Sequence, residues 1–361
     1  MNRSPGTRQS LRKSGENAMR KLERAKRTEF APDHQTFPDA EVKTVFFTIC
    51  SWNYLAYALT LWSSLIKTNG PVSFYAAICD SDDRFDSLSL PFPVIPLDEL
   101  GIPSLDSMKQ RYSITELNTA IKPFVFTYLF EEHPESLVVY MDPDILVTSR
   151  LKELKDLFLQ GADCVLTPHI LEPNEFAVFK DRKMLTYGIH NLGFCALRDT
   201  PRVRRVVSWW GRMLEEYCVI DLPNGLFVDQ KWADLLPAFI ERTRILHHSG
   251  YNVAYWNLPQ QTVRKTEDGW SVNNLPLRFF HFSGNEIKES SLFSRHSRDF
   301  LLPLGDTQLL FSEYVKQVRA NGHDYYRRIP YSFSWNGAAG TNPHTPQSEQ
   351  SECLSSESRP L

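Results

Sequence analysis

Asp142 and Asp144 carry the strongest chemical signal in this chain. They close the apolar run of Val-Val-Tyr-Met-Asp-Pro-Asp-Ile-Leu-Val. In extended backbone, carboxylates at i and i+2 point the same way. Pro143 lacks an N–H, fixes its own φ and biases Asp142 toward extended conformations. Two neighbouring carboxylates repel unless a cation joins them. A hard divalent ion such as Mg2+ or Mn2+ is the natural solution, and it leaves positions open for a diphosphate. The plain alternative is an Asp-Pro turn ending a strand. Asp-x-Asp is common by chance, and its place directly after a buried strand is what favours function.

Other residues supply possible companions. His281 lies in Arg-Phe-Phe-His-Phe-Ser-Gly, followed by Gly284. An imidazole added to two carboxylates favours Mn2+ over Ca2+. A lone core histidine bonded to backbone is the commoner case, and His247 and His248 compete for the ligand role. Asp229 and Gln230, in Val-Asp-Gln-Lys-Trp, are candidates to face a sugar's hydroxyls or its reacting carbon. Alternatively, Asp229 caps the following helix. Asn191 and Gly193 open a strand-like run, where the amide is placed to bind a sugar and the glycine permits close backbone approach. Asn53 and Tyr54 follow the first strand, where a base can stack and hydrogen-bond. Their bland alternative is a helix cap and a core aromatic. Asp80 ends the second strand. Tyr251–Asn257 mixes aromatic rings with amides, which suits either sugar binding or a buried loop.

These residues need elements to hold them. Val42–Ile49, Val72–Cys79, Leu137–Met141, Asp163–Thr167, Leu192–Leu197 and Leu277–Phe282 read as strands. Tyr54–Ile66 reads as a helix stopped by Gly70. Ile114–Glu132 reads as helical, with Ser113 and Glu116 spaced as a capping box and Pro123 forcing a break. Val203, Val206, Val207, Trp210, Leu214 and Tyr217 share one helical face. The alternation predicts an α/β fold: a mostly parallel central sheet with helices on both faces. Ligands in such sheets sit beyond the carboxyl ends of the strands, where these polar residues fall.

The chain has 361 residues and a formal net charge of −3, so no global basic field points to nucleic acid. Residues 1–41 are rich in Arg and Lys and read as a solvated, disordered arm, capable of at most peripheral membrane attraction. Residues 336–361 read as a second disordered tail, leaving 42–335 as the folded domain. No run of about 18 apolar residues occurs, and no secretory h-region is seen. Six scattered cysteines without a CxxC pair argue against structural zinc. Together these features lead us to expect a cytoplasmic protein.

Taken in order, the motifs resemble the GT-A fold nucleotide-sugar transferases, most closely glycosyltransferase family 8 and its bacterial relatives. The match runs from Phe46 to Tyr54, through Ser64-Leu65, Lys122 (usually Arg in the family), Asp142-Pro143-Asp144, Asn191-Leu192-Gly193, Asp229-Gln230 and His281 to Gly284. It spans about residues 44–285. The resemblance implies Asp142, Asp144 and His281 as metal ligands and a UDP-sugar donor. Donor contacts would come from Asn53, Tyr54, Asp80, Lys122, Asn191, Gly193 and Gly284. It further implies Asp229 and Gln230 beside the reacting carbon, a glycan or lipid-linked hydroxyl acceptor, and retention of anomeric configuration. Lys288 would join Lys122 near the phosphates. Two features depart from the family. Cys50, Ser51 and Trp52 stand where an acidic residue usually precedes Asn-Tyr, and Asn285-Glu286-Ile287-Lys288 replaces Lys-Pro-Trp.

Three rivals fit less well. A phosphatase of the haloacid dehalogenase type also begins from Asp-x-Asp, but usually carries Thr or Val where Leu146 stands. Its first Asp also sits near the domain start. A silent nucleotide-sugar-binding scaffold has no need of intact metal carboxylates. A nucleotidyltransferase should carry a Gly-rich basic loop after its first strand, and Cys50–Tyr54 is not one.

Overall fold

The computed structural model describes residues 43–80, 90–173, 178–285, 287, 294 and 305–333, with the side chains of 178–180 excepted. The arm, the tail and Lys288 lie outside them.

In chain order the elements that matter are β1 (Thr44–Cys50), α1 (Leu55–Asn69), β2 (Ser73–Ile78), β3 (Val94–Pro96), α2 (Ile114–Ala120) and α3 (Lys122–Glu132). There follow β4 (Leu137–Met141), β5 (Ile145–Val147), β6 (Cys164–Pro168), β7 (His190–Arg198) and α4 (Pro201–Tyr217). The last are α5 (Gln230–Ala233), β8 (Thr243–Ile245), β9 (Phe279–His281) and α6 (Asp306–Ala320).

Seven strands form the central sheet in the order β8-β6-β7-β4-β1-β2-β3. Every pairing is parallel except the two made by β7, which runs antiparallel between β6 and β4. The expected α/β architecture with a mostly parallel sheet is therefore present, with one reversed strand between β6 and β4.

Both faces of the sheet are buried, and β1 shows why. Val45, Phe47 and Ile49 pack into one core with Val125, Phe126 and Leu129 of α3. Phe46 and Cys50 point the other way, into a second core with Leu61 and Leu65 of α1. A strand covered on both sides reads as a continuous apolar run, which is what β1 and β4 are. The Phe47 and Phe126 rings meet edge to face, 4.9 Å between centroids.

The helix signals act as their chemistry requires. Ser113 and Glu116 form a reciprocal capping box at the start of α2. Pro123 falls in the first turn of a new helix, α3, where its missing N–H costs nothing. Thr200 caps α4 through a bond from Val203 N, 3.2 Å. The buried face of α4 ends at Leu214, however. Tyr217, expected on that face, is the helix's last residue and is 46% exposed.

One strand departs from expectation in its partner. Leu277–Phe282 contributes only Phe279–His281, and β9 is not part of the central sheet. It pairs antiparallel with β5, with His281 opposite Ile145. Phe282 N continues the ladder to Asp144 O, 2.9 Å. That ladder carries His281 to the end of β4.

Candidate metal and donor site

The end of β4 is built as a turn. Ile145 N donates to Asp142 O at 3.2 Å, closing the four residues Asp142 to Ile145 with Pro143 second, where its fixed φ suits a turn. The expectation of extended backbone through Asp142 and Asp144 is thus corrected. The turn itself, with help from β9, aims both carboxylates at one point.

That point is the His281 imidazole. Its Nε2 lies 3.3 Å from Asp142 Oδ2 and 3.1 Å from Asp144 Oδ1. One ligand atom from each residue lies within 4.8 Å of the others. His281 is the histidine that joins the pair. His248 instead lies beside Glu153, with Nε2 3.6 Å from Oε1, and His247 is exposed.

Three observations test whether a divalent ion suits these residues. Asp144 Oδ1 is buried and accepts no aligned hydrogen bond, an orphan that a cation would satisfy. Gly193 lies behind the cluster, and a Cβ there would sit 2.3 Å from His281 Cε1 and 2.8 Å from Asp142 Oδ2. Only a glycine lets the imidazole and carboxylate approach that strand. Finally, two oxygens and one imidazole nitrogen form a donor set suited to Mn2+ or Mg2+. The residues fit the ion.

Electrostatics agree. Burial pushes the Asp142 carboxyl up, but His281, Lys122 and the Tyr140 hydroxyl outweigh it and hold Asp142 below the usual range. Burial pulls the His281 imidazole down, but Asp144 and Asp142 together raise it to about 10. A group held between two anions keeps a positive charge until a cation displaces its proton.

Behind the cluster lies a second charged layer. Lys122, 1% exposed, donates to Asp229 Oδ2 at 2.5 Å and to Leu192 O at 2.9 Å. Its ammonium also stands 4.1 Å from the Tyr140 ring centroid, and the Tyr140 hydroxyl donates to Asp142 Oδ1. Asp229 makes no side-chain cap on α5, so the capping alternative does not hold. Burial raises its carboxyl, with Lys122 pulling the other way. Gln230 joins two backbones, accepting from Leu192 N at 3.1 Å and donating to Tyr187 O at 2.9 Å.

The remaining candidates fall around this centre. Asn191 is buried and accepts from Gly193 N, 3.1 Å, and from Asn252 Nδ2, 3.1 Å. Asn53 accepts from Ser51 Oγ, 2.6 Å. Tyr54 is 38% exposed and stacks on Tyr57 at 4.9 Å. Burial, then Asp144, Tyr57 and Tyr54, push the Tyr314 hydroxyl well above its usual value, so these four groups share one neighbourhood. Gly284 adopts φ of 70° in the turn after β9. Asp80 lies two residues past the end of β2 and accepts from Ser332 N, 2.9 Å.

Sequence reasoning missed Tyr140, Thr167, His169 and Asn252. Tyr140 carried a signal, since it sits at i−2 from Asp142 on a strand. The others act through tertiary contacts. Within Tyr251–Asn257, Tyr251 and Asn257 close the core, and Trp256 faces His281 edge-on at 5.3 Å.

No protein-family model matches the chain. A curated relative, the uncharacterized protein YfnD of Bacillus subtilis (strain 168), is 25% identical over 195 residues. The match covers 53% of this chain and 60% of that protein, so it spans under two thirds of the relative's length. Among solved structures, the galactosyltransferase LgtC with donor and acceptor sugar analogs aligns at 15% identity and TM-score 0.46, covering 77% of this chain and 95% of that one. GlyE of Streptococcus pneumoniae TIGR4, a glycosyltransferase, aligns at 15% identity and TM-score 0.43, over 80% of this chain and 66% of that one. Mouse xyloside xylosyltransferase 1, apo form, aligns at 14% identity and TM-score 0.38, over 66% and 97%.

Proposed function

We propose that the chain is a metal-dependent glycosyltransferase of the GT-A type. It would move a hexose-type sugar from a nucleoside diphosphate, UDP by resemblance, to a hydroxyl of a glycan or lipid-linked acceptor. Residues 42–335 form the catalytic domain in this reading, and the setting is cytoplasmic glycan or cell-surface polysaccharide synthesis. One observation carries the proposal: the convergence of Asp142, Asp144 and His281 on a point where a buried Asp144 oxygen, 3.1 Å from the imidazole, receives no aligned hydrogen bond.

Those three residues would hold Mn2+ or Mg2+. Such an ion, when bound, supplies Lewis-acid stabilisation to charge growing on the departing nucleoside diphosphate. The protein's own groups do the rest. Tyr140 fixes the Asp142 carboxylate by donating to one oxygen, leaving the other turned toward His281. Lys122 adds a fixed positive charge behind that carboxylate. Asn53 and Tyr54 are proposed for the base, and Asn191, Asp229 and Gln230 for the side facing the sugar. Free, buried thiols at Cys50, Cys79, Cys164, Cys195 and Cys218 support a reducing compartment. Among the described residues no helix is long and apolar enough to cross a membrane.

The test is a panel of nucleotide-sugars scored for metal-dependent thermal stabilisation. A ligand at 100 times its Kd adds roughly 2.7 kcal/mol, enough for a clear melting shift. A shift with one donor and Mn2+ together that exceeds the shift with either alone supports the reading. No shift across the panel, with activity instead on a phosphate ester, would replace it with a phosphatase.

A further inference from the structure

Behind His281 runs a line of hydrogen bonds with one possible direction. His281 Nδ1 lies 3.2 Å from Asn252 Oδ1. Asn252 Nδ2 donates to Asn191 Oδ1 at 3.1 Å and to Thr167 Oγ1 at 3.0 Å. Asn191 Nδ2 lies 3.2 Å from His169 Nε2. His169 Nδ1 lies 3.3 Å from the Ile189 carbonyl.

Each member constrains the next. The Ile189 carbonyl accepts only, so His169 carries its hydrogen on Nδ1 and presents a lone pair at Nε2. Asn191 must then turn its NH2 toward His169 and its oxygen toward Asn252. Gly193 N, which can only donate, faces that same oxygen and fixes the same orientation. Asn252 must therefore donate to Asn191 and offer its own oxygen to His281. The end of the chain is an Nδ1–H on His281.

Asn252 is built for this place. It is fully buried and has φ of 54°, a left-handed backbone that asparagine tolerates better than most residues. Asn257 clamps the turn, donating to Asn252 O at 3.0 Å and to His169 O at 3.1 Å. Polar groups this well satisfied in a core hold one arrangement.

We infer that Asn252, oriented by Thr167, Asn191 and His169, is a positioning residue that locks His281 with Nδ1 protonated and its Nε2 lone pair aimed at the metal position between Asp142 and Asp144. The inference rests on the metal reading above. It assigns roles to Thr167, His169 and Asn252 that neither spacing nor resemblance supplied. It also gives Asn191 a task in the metal site as well as beside the sugar.

The experiment is an electron paramagnetic resonance titration of Mn2+ into the full chain, with spin-echo modulation to detect a coordinated nitrogen. Wild type should bind with nitrogen modulation, and His281→Ala should lose that modulation. Asn252→Gly removes the amide while keeping the left-handed backbone relaxed. It should weaken Mn2+ binding about 10- to 100-fold, the usual range for an outer partner of a metal-bound histidine, in a protein that still folds in the metal-free state, with a lowered melting temperature because buried partners are left unsatisfied. Asn252→Asp keeps an acceptor for the Nδ1–H but loses the bond to Asn191, and should recover part of the Mn2+ affinity that Asn252→Gly loses. Thr167→Val, which touches only the far side of Asn252, should weaken binding by a few-fold. Tight, nitrogen-coupled binding unchanged in Asn252→Gly and Thr167→Val would overturn the relay while leaving the metal site standing. Wild type without nitrogen-coupled Mn2+ would overturn the metal reading and the relay with it.

Discussion

Asp144 and Asp229 are both aspartates of the candidate site, yet their surroundings are opposite. Asp229 is 1% exposed and has its own cation, Lys122, at 2.5 Å. Asp144 shares His281 with a second carboxylate and keeps a buried oxygen with no aligned donor. The first site is complete within the protein. The second sets one imidazole between two carboxylates, and a cation from outside would complete it. A buried charge is costly unless compensated, so the uncompensated position is where function is expected.

Substitutions that break this contrast should separate activity from stability. Asp142→Asn or Asp144→Asn should lower glycosyl transfer by about 10^3-fold or more, near 4 kcal/mol of barrier, while circular dichroism and melting stay close to wild type. Asp229→Ala should lower transfer too, since Asp229 is proposed for the sugar side, but unlike those two it should also cost stability. It strands the Lys122 ammonium in the core and should cost about 3–5 kcal/mol in urea unfolding. Adding Lys122→Met should recover much of that loss. A neutral Asp229→Ala would mean that water reaches the pair.

The histidine behind Asn191 sharpens the contrast through pH. Burial lowers the His169 pKa to about 4, from an ordinary 6.5. The unfolded chain therefore takes up a proton there before the folded one does. Its contribution is fully present above pH 6.5 and is lost as pH falls toward 4, roughly 3 kcal/mol in all. Urea melts across that window should show a slope that His169→Phe flattens. The smallest expected effect belongs to Gly193→Ala. Its new Cβ would meet the His281 ring at 2.3 Å, so Mn2+ affinity should fall by about tenfold with the fold retained.

The parts of this contrast differ in how readable they were. The buried strands β1 and β4, the Ser113 capping box and the break at Pro123 follow from local pattern, because burial on both faces and helix starts leave marks within a few residues. The paired aspartates were legible for the same reason. Their geometry was not, since Pro143 suits a turn as well as a strand. The choice is made by Gly193 and β9, far away in sequence. The Lys122–Asp229 pair spans 107 positions, and no local pattern announces it. Asn252 was seen only as part of an aromatic-polar loop, because its task depends on which side chains the sheet brings beside it. Resemblance reached His281; spacing alone left it level with His247 and His248.

The most direct measurement is glycosyl transfer from the best-stabilising nucleotide-sugar after exhaustive chelation, followed by stepwise return of Mn2+. Activity should vanish on chelation and return in proportion to one bound ion per chain in wild type, and fail to return in Asp144→Asn. Full transfer in the chelated protein would contradict the assignment of Asp142, Asp144 and His281 to a metal.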